Sequence, residues 1–255
     1  MKISEHEFYE KIKDWDFSKF DIKVENYTNW DLYDILRKIT NKESKILDLG
    51  TGGGEKLLEN FPKVKEILGT DYSCEMIKTA NENLRNSGRS NIKFKVMDNI
   101  KMETKDNYFD VVVARNTVTD PKQIYKTLKH GGYILIRGVD KMDCWELKRI
   151  FNKGQAYNDN NPISKIDYEN VLDAGFQDVE LIPIHQIEYY KDQNEFISFL
   201  LKTPILDEFS EEENDNKETY SREIDLDLLE KYLKRNTTPK GIRLIRRYYG
   251  IIGRK

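Results

Sequence analysis

KILDLGTGGG, residues 45–54, sets four glycines in five positions directly behind an apolar run. Glycine at that density makes a poor helix and a poor strand interior. It suits a turn where a ligand must approach bare main chain, joining a first strand, KILDL (45–49), to a helix over residues 53–60. Outward from this turn the chain alternates. The apolar runs KEILGT (65–70), IKFKVM (92–97), FDVVVA (109–114) and GYILIRGV (132–139) predict further strands. Helices are expected between them over 74–87, opened by Ser73 as N-cap, and over 121–129, opened at Asp120-Pro121. Strands of near-continuous Val, Ile and Leu alternating with helices indicate an α/β, doubly wound, mostly parallel sheet covered on both faces.

The flanks add to this core. Residues 1–44 read as a helical N-terminal cap, with Trp30, Tyr33, Ile35, Leu36 and Ile39 on one face. Helices over 142–151 and 164–174 bracket a loop rich in Asn, Asp and Gly. The runs FQDVELIPIHQIEYY (176–190) and IRLIRRYYGII (242–252) raise the expected strands to seven. The core is thus expected over 45–190 and 241–255, with an insertion at 191–240. That insertion holds an apolar segment (196–206), an acidic stretch (207–223) and a helix (224–235). So long an excursion in a compact domain is expected to be a lid or an interface.

A chain of 255 residues, 38% apolar and 34% charged, has the makings of one large soluble domain with an embellishment. No apolar run approaches the roughly 18 residues of a membrane helix. The N-terminus lacks the apolar stretch of a secretory signal, so the cytoplasm is the expected compartment. Cys74 and Cys144 are too few and too far apart for a disulfide framework or a zinc cluster, and no metal site is expected. A net charge of −3 speaks against a surface built wholly for nucleic acid. The basic tail GIRLIRRYYGIIGRK fits a solvated strand edge better than an RNA-facing one.

The glycine turn excludes some ligands. Gly54 is followed by Glu55 and Lys56 rather than by Lys-Ser/Thr, which rules against a nucleoside-triphosphate loop. Glu55 would also set negative charge beside a pyrophosphate; a ligand with an amine, a sulfonium and an adenosine meets no such conflict. LDLGTGGG, followed by GTDYS (Asp71), VMDN (Asp98), YFDVVVARN (108–116) and LKHGGYILI (128–136), resembles the class I S-adenosylmethionine-dependent methyltransferases in order and spacing. The likeness covers about residues 44–139, and the whole layout is similar to bacterial type-11 methyltransferases. It implies a Rossmann-like seven-stranded sheet with an antiparallel last strand, S-adenosylmethionine as cofactor and S-adenosylhomocysteine as product.

The resemblance also implies roles. Gly50, Gly52 and Gly53 would pack main chain against the methionine portion, and Asp48 would fix its amino group, directly or through water. Asp71 would accept from both ribose hydroxyls. Tyr72 or Met76 would cover the adenine, Asp98 its exocyclic amine and the Asn99 main chain a ring nitrogen. Arg115 and Asn116 would border the methionine end. Against these stand plainer roles: Asp71 and Asp98 as turn caps, Tyr72 and Met76 as packing, Asp110 as a structural acid and Glu55 as a helix-start charge.

No catalytic residue is marked out. A general base is needed only when the acceptor must lose a proton. His185, Tyr27 and Trp30 are the weak candidates, while His6 and His130 read as surface residues. The run ARNTVTDP (114–121) lacks the histidine that many small-molecule members carry there. It also lacks the Asn-Pro-Pro-Tyr signature of amino-group methylators of nucleic acids or proteins. A small-molecule acceptor is the expectation. An RNA acceptor, resting on Arg243, Arg246, Arg247 and Arg254, and a cofactor-binding protein without turnover are the alternatives.

Overall fold

The structure is a computed structural model and describes residues 3–4, 17, 19–207, 209–210 and 223–255. His6 and most of the acidic stretch 207–223 lie outside the described residues. Strand β1 (Ile3–Ser4) pairs in parallel with the short β9 (Phe209–Ser210), apart from the main sheet. Strand β2 (Lys23–Asn26) precedes helix α1 (Leu32–Ile39), whose start is capped by Asp31 accepting from the Asp34 N–H at 2.8 Å. Leu32 and Leu36 turn inward from α1, one helical turn apart, and are buried.

The core then runs β3 (Lys45–Leu49), α2 (Glu55–Asn60), β4 (Glu66–Asp71), α3 (Cys74–Ser87) and β5 (Ile92–Val96). It returns through β6 (Phe109–Arg115), α4 (Pro121–Thr127) and β7 (Leu128–Val139). Helices α5 (Trp145–Phe151) and α6 (Ile163–Asp173) lead to β8 (Gln177–Tyr190). Helix α7 (Gln193–Lys202), a 3-10 turn (Pro204–Leu206), α8 (Leu226–Asn236), β10 (Thr237–Thr238) and β11 (Gly241–Arg254) complete the chain. Among the described residues no helix is long and apolar enough to cross a membrane.

The main sheet has the order β2-β8-β11-β7-β6-β3-β4-β5, with β10 on β11. Strands β3 to β7 are mutually parallel, and β11 runs antiparallel to both β7 and β8. The seven expected strands are all present; β2 and β10 bring the sheet to nine. The expected N-terminal helical cap is therefore partly strand: Lys23–Asn26 extends the sheet along β8, and helix is confined to α1 among the described residues. Strand order reverses at β3, which lies between β4 and β6, so a crevice opens at the carboxyl end of β3.

Two clusters pack on the faces of the parallel strands. Ile46, Leu57, Ile67, Val111, Val113 and Leu135 meet α1 on one side. Leu47, Leu49, Val112, Ala114, Ile134 and Ile136 meet α4 and α6 on the other. A third cluster stands beyond the carboxyl edge. Because Tyr248 of β11 pairs with Val139 at the end of β7, residues 241–247 overrun the parallel sheet. There β11 pairs with β8, up to Ile242 opposite Tyr190. Phe196, Phe199 and Leu200 of α7, Leu229 and Tyr232 of α8 and Leu147 of α5 bury this extension. The helices of the insertion are thus anchored walls of a core.

Candidate active site

Three glycines shape the turn after β3. Gly50, Gly52 and Gly54 hold φ of 68°, 57° and 76°, left-handed values that disfavour a side chain. A Cβ on Gly50 would lie 2.6 Å from Cβ of Thr117, and one on Gly54 would lie 2.8 Å from the Phe94 ring. Gly53 has no such φ, and an added Cβ would meet only the flexible Glu55 carboxylate. Gly54, absent from the expected contacts, is thus the third residue that the turn requires.

Asp71, the last residue of β4, ties this turn to the next one. Its Oδ2 accepts from the Gly52 N–H at 2.9 Å and its Oδ1 from the Ser73 N–H at 2.9 Å. Burial pushes its carboxyl up, and the N–H groups of Ser73, Gly52 and Tyr72 oppose that. A carboxylate offers about four acceptor positions, so these bonds leave acceptor capacity for a ribose hydroxyl. The capping role and the ribose role are compatible.

One strand on, Met97 N–H donates to the Asp71 carbonyl at 2.9 Å, which sets Asp98 and Asn99 beside the same turn. Asp98 Oδ1 accepts from the Ile100 N–H at 2.8 Å, so it does cap its turn. Asn99 donates through Nδ2 to Thr117 Oγ1 at 2.9 Å, while its Oδ1 is buried without a hydrogen-bond partner. A buried amide oxygen left unpaired is costly and asks for a donor from a ligand or water. The expectation had assigned only the Asn99 main chain. Of the two candidate adenine covers, Tyr72 is 59% exposed while Met76 is 3% exposed and packs inward from α3. Met76 is therefore a packing residue, and Tyr72 is the side chain accessible to a ligand.

On the other side of the turn lies a small, shallow recess, open to solvent and lined by Tyr33, Asp48, Gly50, Thr51, Lys56 and Arg115, among others. Burial pushes the Asp48 carboxyl up to about 7, opposed by the Thr51 hydroxyl and the Arg115 charge. The Tyr33 hydroxyl is pushed up as well, chiefly by burial, with Arg115, Asp48 and Arg137 in its field. Tyr33, Thr51, Lys56 and Thr117 were given no site role from sequence. Thr51 alone had a legible signal, its place inside the glycine run. Asn116 (φ 54°) sits at the end of β6: its N–H donates to the Arg137 carbonyl at 2.8 Å, and its Oδ1 accepts from Arg137 Nη1 at 3.4 Å. It binds the neighbouring strand rather than lining the recess.

The three weak catalytic candidates stand elsewhere. His185 is exposed on β8, with its side chain on the opposite face from Glu188 by strand alternation. Tyr27 is 65% exposed and donates to Glu25 Oε2 at 3.0 Å. Trp30 packs over the bare main chain of Gly250, where an added Cβ would lie 2.6 Å from its ring, and belongs to the core under α1. The basic tail is an interior strand and not a solvated edge, since β11 lies between β7 and β8. Arg246 is 7% exposed and paired with Asp143 at 3.0 Å and Glu188 at 3.0 Å; Arg243 holds Asn236 Oδ1 at 3.0 Å.

A doubly wound sheet with the order found here, a left-handed glycine turn after its first parallel strand and acids closing the next two strands define a class I S-adenosylmethionine-dependent methyltransferase domain. A family model described as "Methyltransferase domain" (Methyltransf_31) matches residues 40–200, and the chain belongs to that family. It is 36% identical over 102 residues to phosphoethanolamine N-methyltransferase 3 of Arabidopsis thaliana, covering 36% of this chain and 20% of that protein. It is 25% identical over 118 residues to a demethylmenaquinone methyltransferase of Porphyromonas gingivalis, covering 42% of this chain and 48% of that one. The chain thus matches less than half the length of either relative. The crystal structure of the YcgJ protein of Bacillus subtilis shares the fold, with a TM-score of 0.57 at 15% identity, covering 88% of this chain and 97% of that one.

Proposed function

We propose that this domain transfers a methyl group from S-adenosylmethionine to a small-molecule acceptor. S-adenosylmethionine supplies an electrophilic methyl on a cationic sulfur that leaves as a neutral thioether. The residues present fit it. The turn at Gly50–Gly54 leaves main chain bare, the unpaired Asn99 Oδ1 awaits a donor, and Asp71 keeps acceptor capacity for a ribose hydroxyl. Asp48, buried in the recess, would pair with the amino group, and Asp98 and Tyr72 would border the adenine.

The protein's task is alignment and exclusion of water, which supplies much of the acceleration in such a displacement. Helix α1 walls the recess through Tyr33. With its acidity suppressed by burial, the Tyr33 hydroxyl stays protonated near neutral pH and serves as a hydrogen-bond donor. His185, the candidate base, and Tyr27 and Trp30, the candidate walls of the acceptor site, lie outside the recess. That favours an acceptor whose nucleophilic form is already deprotonated, such as a thiolate or an amine of low basicity, or one whose proton Asp48 in the recess accepts.

The observation that supports a small acceptor most directly is the burial of Arg246 with Asp143 and Glu188. One of the four arginines on which an RNA-facing edge would rest is thereby consumed by internal pairing. The test supplies S-adenosylmethionine labelled at its methyl group, together with a cell extract separated into small-molecule, RNA and protein fractions. Label in the small-molecule fraction is expected; label confined to RNA or protein contradicts the reading.

A further inference from the structure

We infer that Arg137, seated on the Tyr248 ring beside Arg115, recognises an anionic group on the methyl acceptor, which is therefore a small molecule bearing a carboxylate or a phosphate. This rests on the methyltransferase reading above. Arg115 ends β6, and Arg137 is its register partner on β7. Neighbours in register project from the same face of a sheet, so the two guanidiniums emerge together at its carboxyl edge. Both are half-buried.

Neither guanidinium has an ion pair among the described residues. The side-chain hydrogen bond of Arg137 is a long one, Nη1 to Asn116 Oδ1 at 3.4 Å. Like charges side by side on a sheet are destabilising, and an anion between them reverses the sign. Arg246 of β11 shows the contrast. It too lies over the Tyr248 ring, at 4.9 Å, but its donors are taken by Asp143 and Glu188. Arg137 lies 3.9 Å from the same ring centre with most of its donors uncommitted. Stacking on an aromatic face fixes the guanidinium plane while leaving its edge available for bidentate bonds.

Position separates the two arginines. Asp48, Arg115 and Arg137 lie on successive strands β3, β6 and β7, on one face, at the carboxyl edge. Arg115 lines the recess beside the glycine turn, and Arg137 stands one strand farther out, toward the extension formed by β8 and β11. Arg115 faces the cofactor end and Arg137 the acceptor.

The test uses the whole chain, saturated with S-adenosylhomocysteine, and inorganic phosphate as the probe, read by phosphorus NMR line broadening. The wild-type protein is expected to bind phosphate, with Arg137→Gln weaker by about tenfold and Arg137→Lys, which keeps the charge but loses the fork, in between. S-adenosylhomocysteine affinity, measured by calorimetry, is expected to change by less than about threefold in both variants. Acetate that displaces the phosphate assigns the site to carboxylates generally; acetate that fails to displace it assigns a phosphate ester. Both results support the proposal. Equal phosphate binding by wild type and either variant overturns it, as does absence of binding to both anions. A loss of S-adenosylhomocysteine affinity above tenfold in Arg137→Gln would assign Arg137 to the cofactor and also overturn it, leaving the proposed function intact. Failure of the wild-type protein to bind S-adenosylhomocysteine would remove the proposed function and the acceptor role with it.

Discussion

Asp48 carries an unusual burden for a carboxylate, being 7% exposed and pushed up to about 7 by burial. A folded-state value above the unfolded one means that the folded protein holds its proton more tightly. The stability this gives is fully present below the ordinary value of 3.8 and is lost as pH rises through about 7. Asp48→Asn should therefore melt above the wild type at pH 8 and approach it by pH 4, the pH-dependent part amounting to roughly 4 kcal/mol. The same ionisation should govern the ligand. If Asp48 pairs with the cofactor's ammonium, S-adenosylhomocysteine affinity should rise about tenfold between pH 6 and pH 8, and Asp48→Asn should flatten that profile. Calorimetry across this range checks both limbs. Gly50→Ala is a second residue-scale test. At φ 68° and 2.6 Å from Thr117, the added methyl should force the turn to shift and reduce S-adenosylhomocysteine affinity by about tenfold or more.

At the scale of elements, the extension of β8 and β11 hangs on one buried ionic knot. Arg246 bonds both oxygens of Asp143 and reaches Glu188, while Tyr190 donates to Glu188 Oε2 at 2.6 Å and the Arg247 N–H to Asp143 Oδ1 at 2.7 Å. Removing the cation would strand two buried carboxylates. Arg246→Ala should lower unfolding stability by about 3–5 kcal/mol, readable as a shift in the urea midpoint. These partners were not legible in the sequence, because Asp143, Glu188 and Arg246 are brought together only by the pairing of β8 with β11 and the turn before α5. The parallel strands were legible for the opposite reason. Val111–Ala114 and, Asp48 apart, Ile46–Leu49 are covered on both faces, so their apolar character is near-continuous and independent of distant partners. Helix α3 was legible to the residue, since Ser73 caps its start and Gly88, at φ 67°, ends it. The N-terminal segment misled because Lys23–Asn26 is an exposed edge strand, whose periodicity no core enforces.

For the molecule as a whole, the glycine turn and its two acids were readable because their constraints are local: left-handed main chain needs glycine, and an acid at a strand end caps the next turn. The acceptor side was not. Tyr33, Arg137 and Tyr248 come from an N-terminal helix, a central strand and the C-terminal strand, and only the tertiary fold places them at one edge. The chain belongs to the methyltransferase-domain family, and both halves of the site, the acceptor half above all, must be tested on its own residues. The most direct measurement is a crystal structure with S-adenosylhomocysteine. The account predicts the ribose hydroxyls on Asp71, an adenine donor within reach of Asp98 or Asn99 Oδ1, and the methionine end in the recess beside Asp48. Ligand density away from residues 50–54, or a ribose with no contact to Asp71, would contradict it.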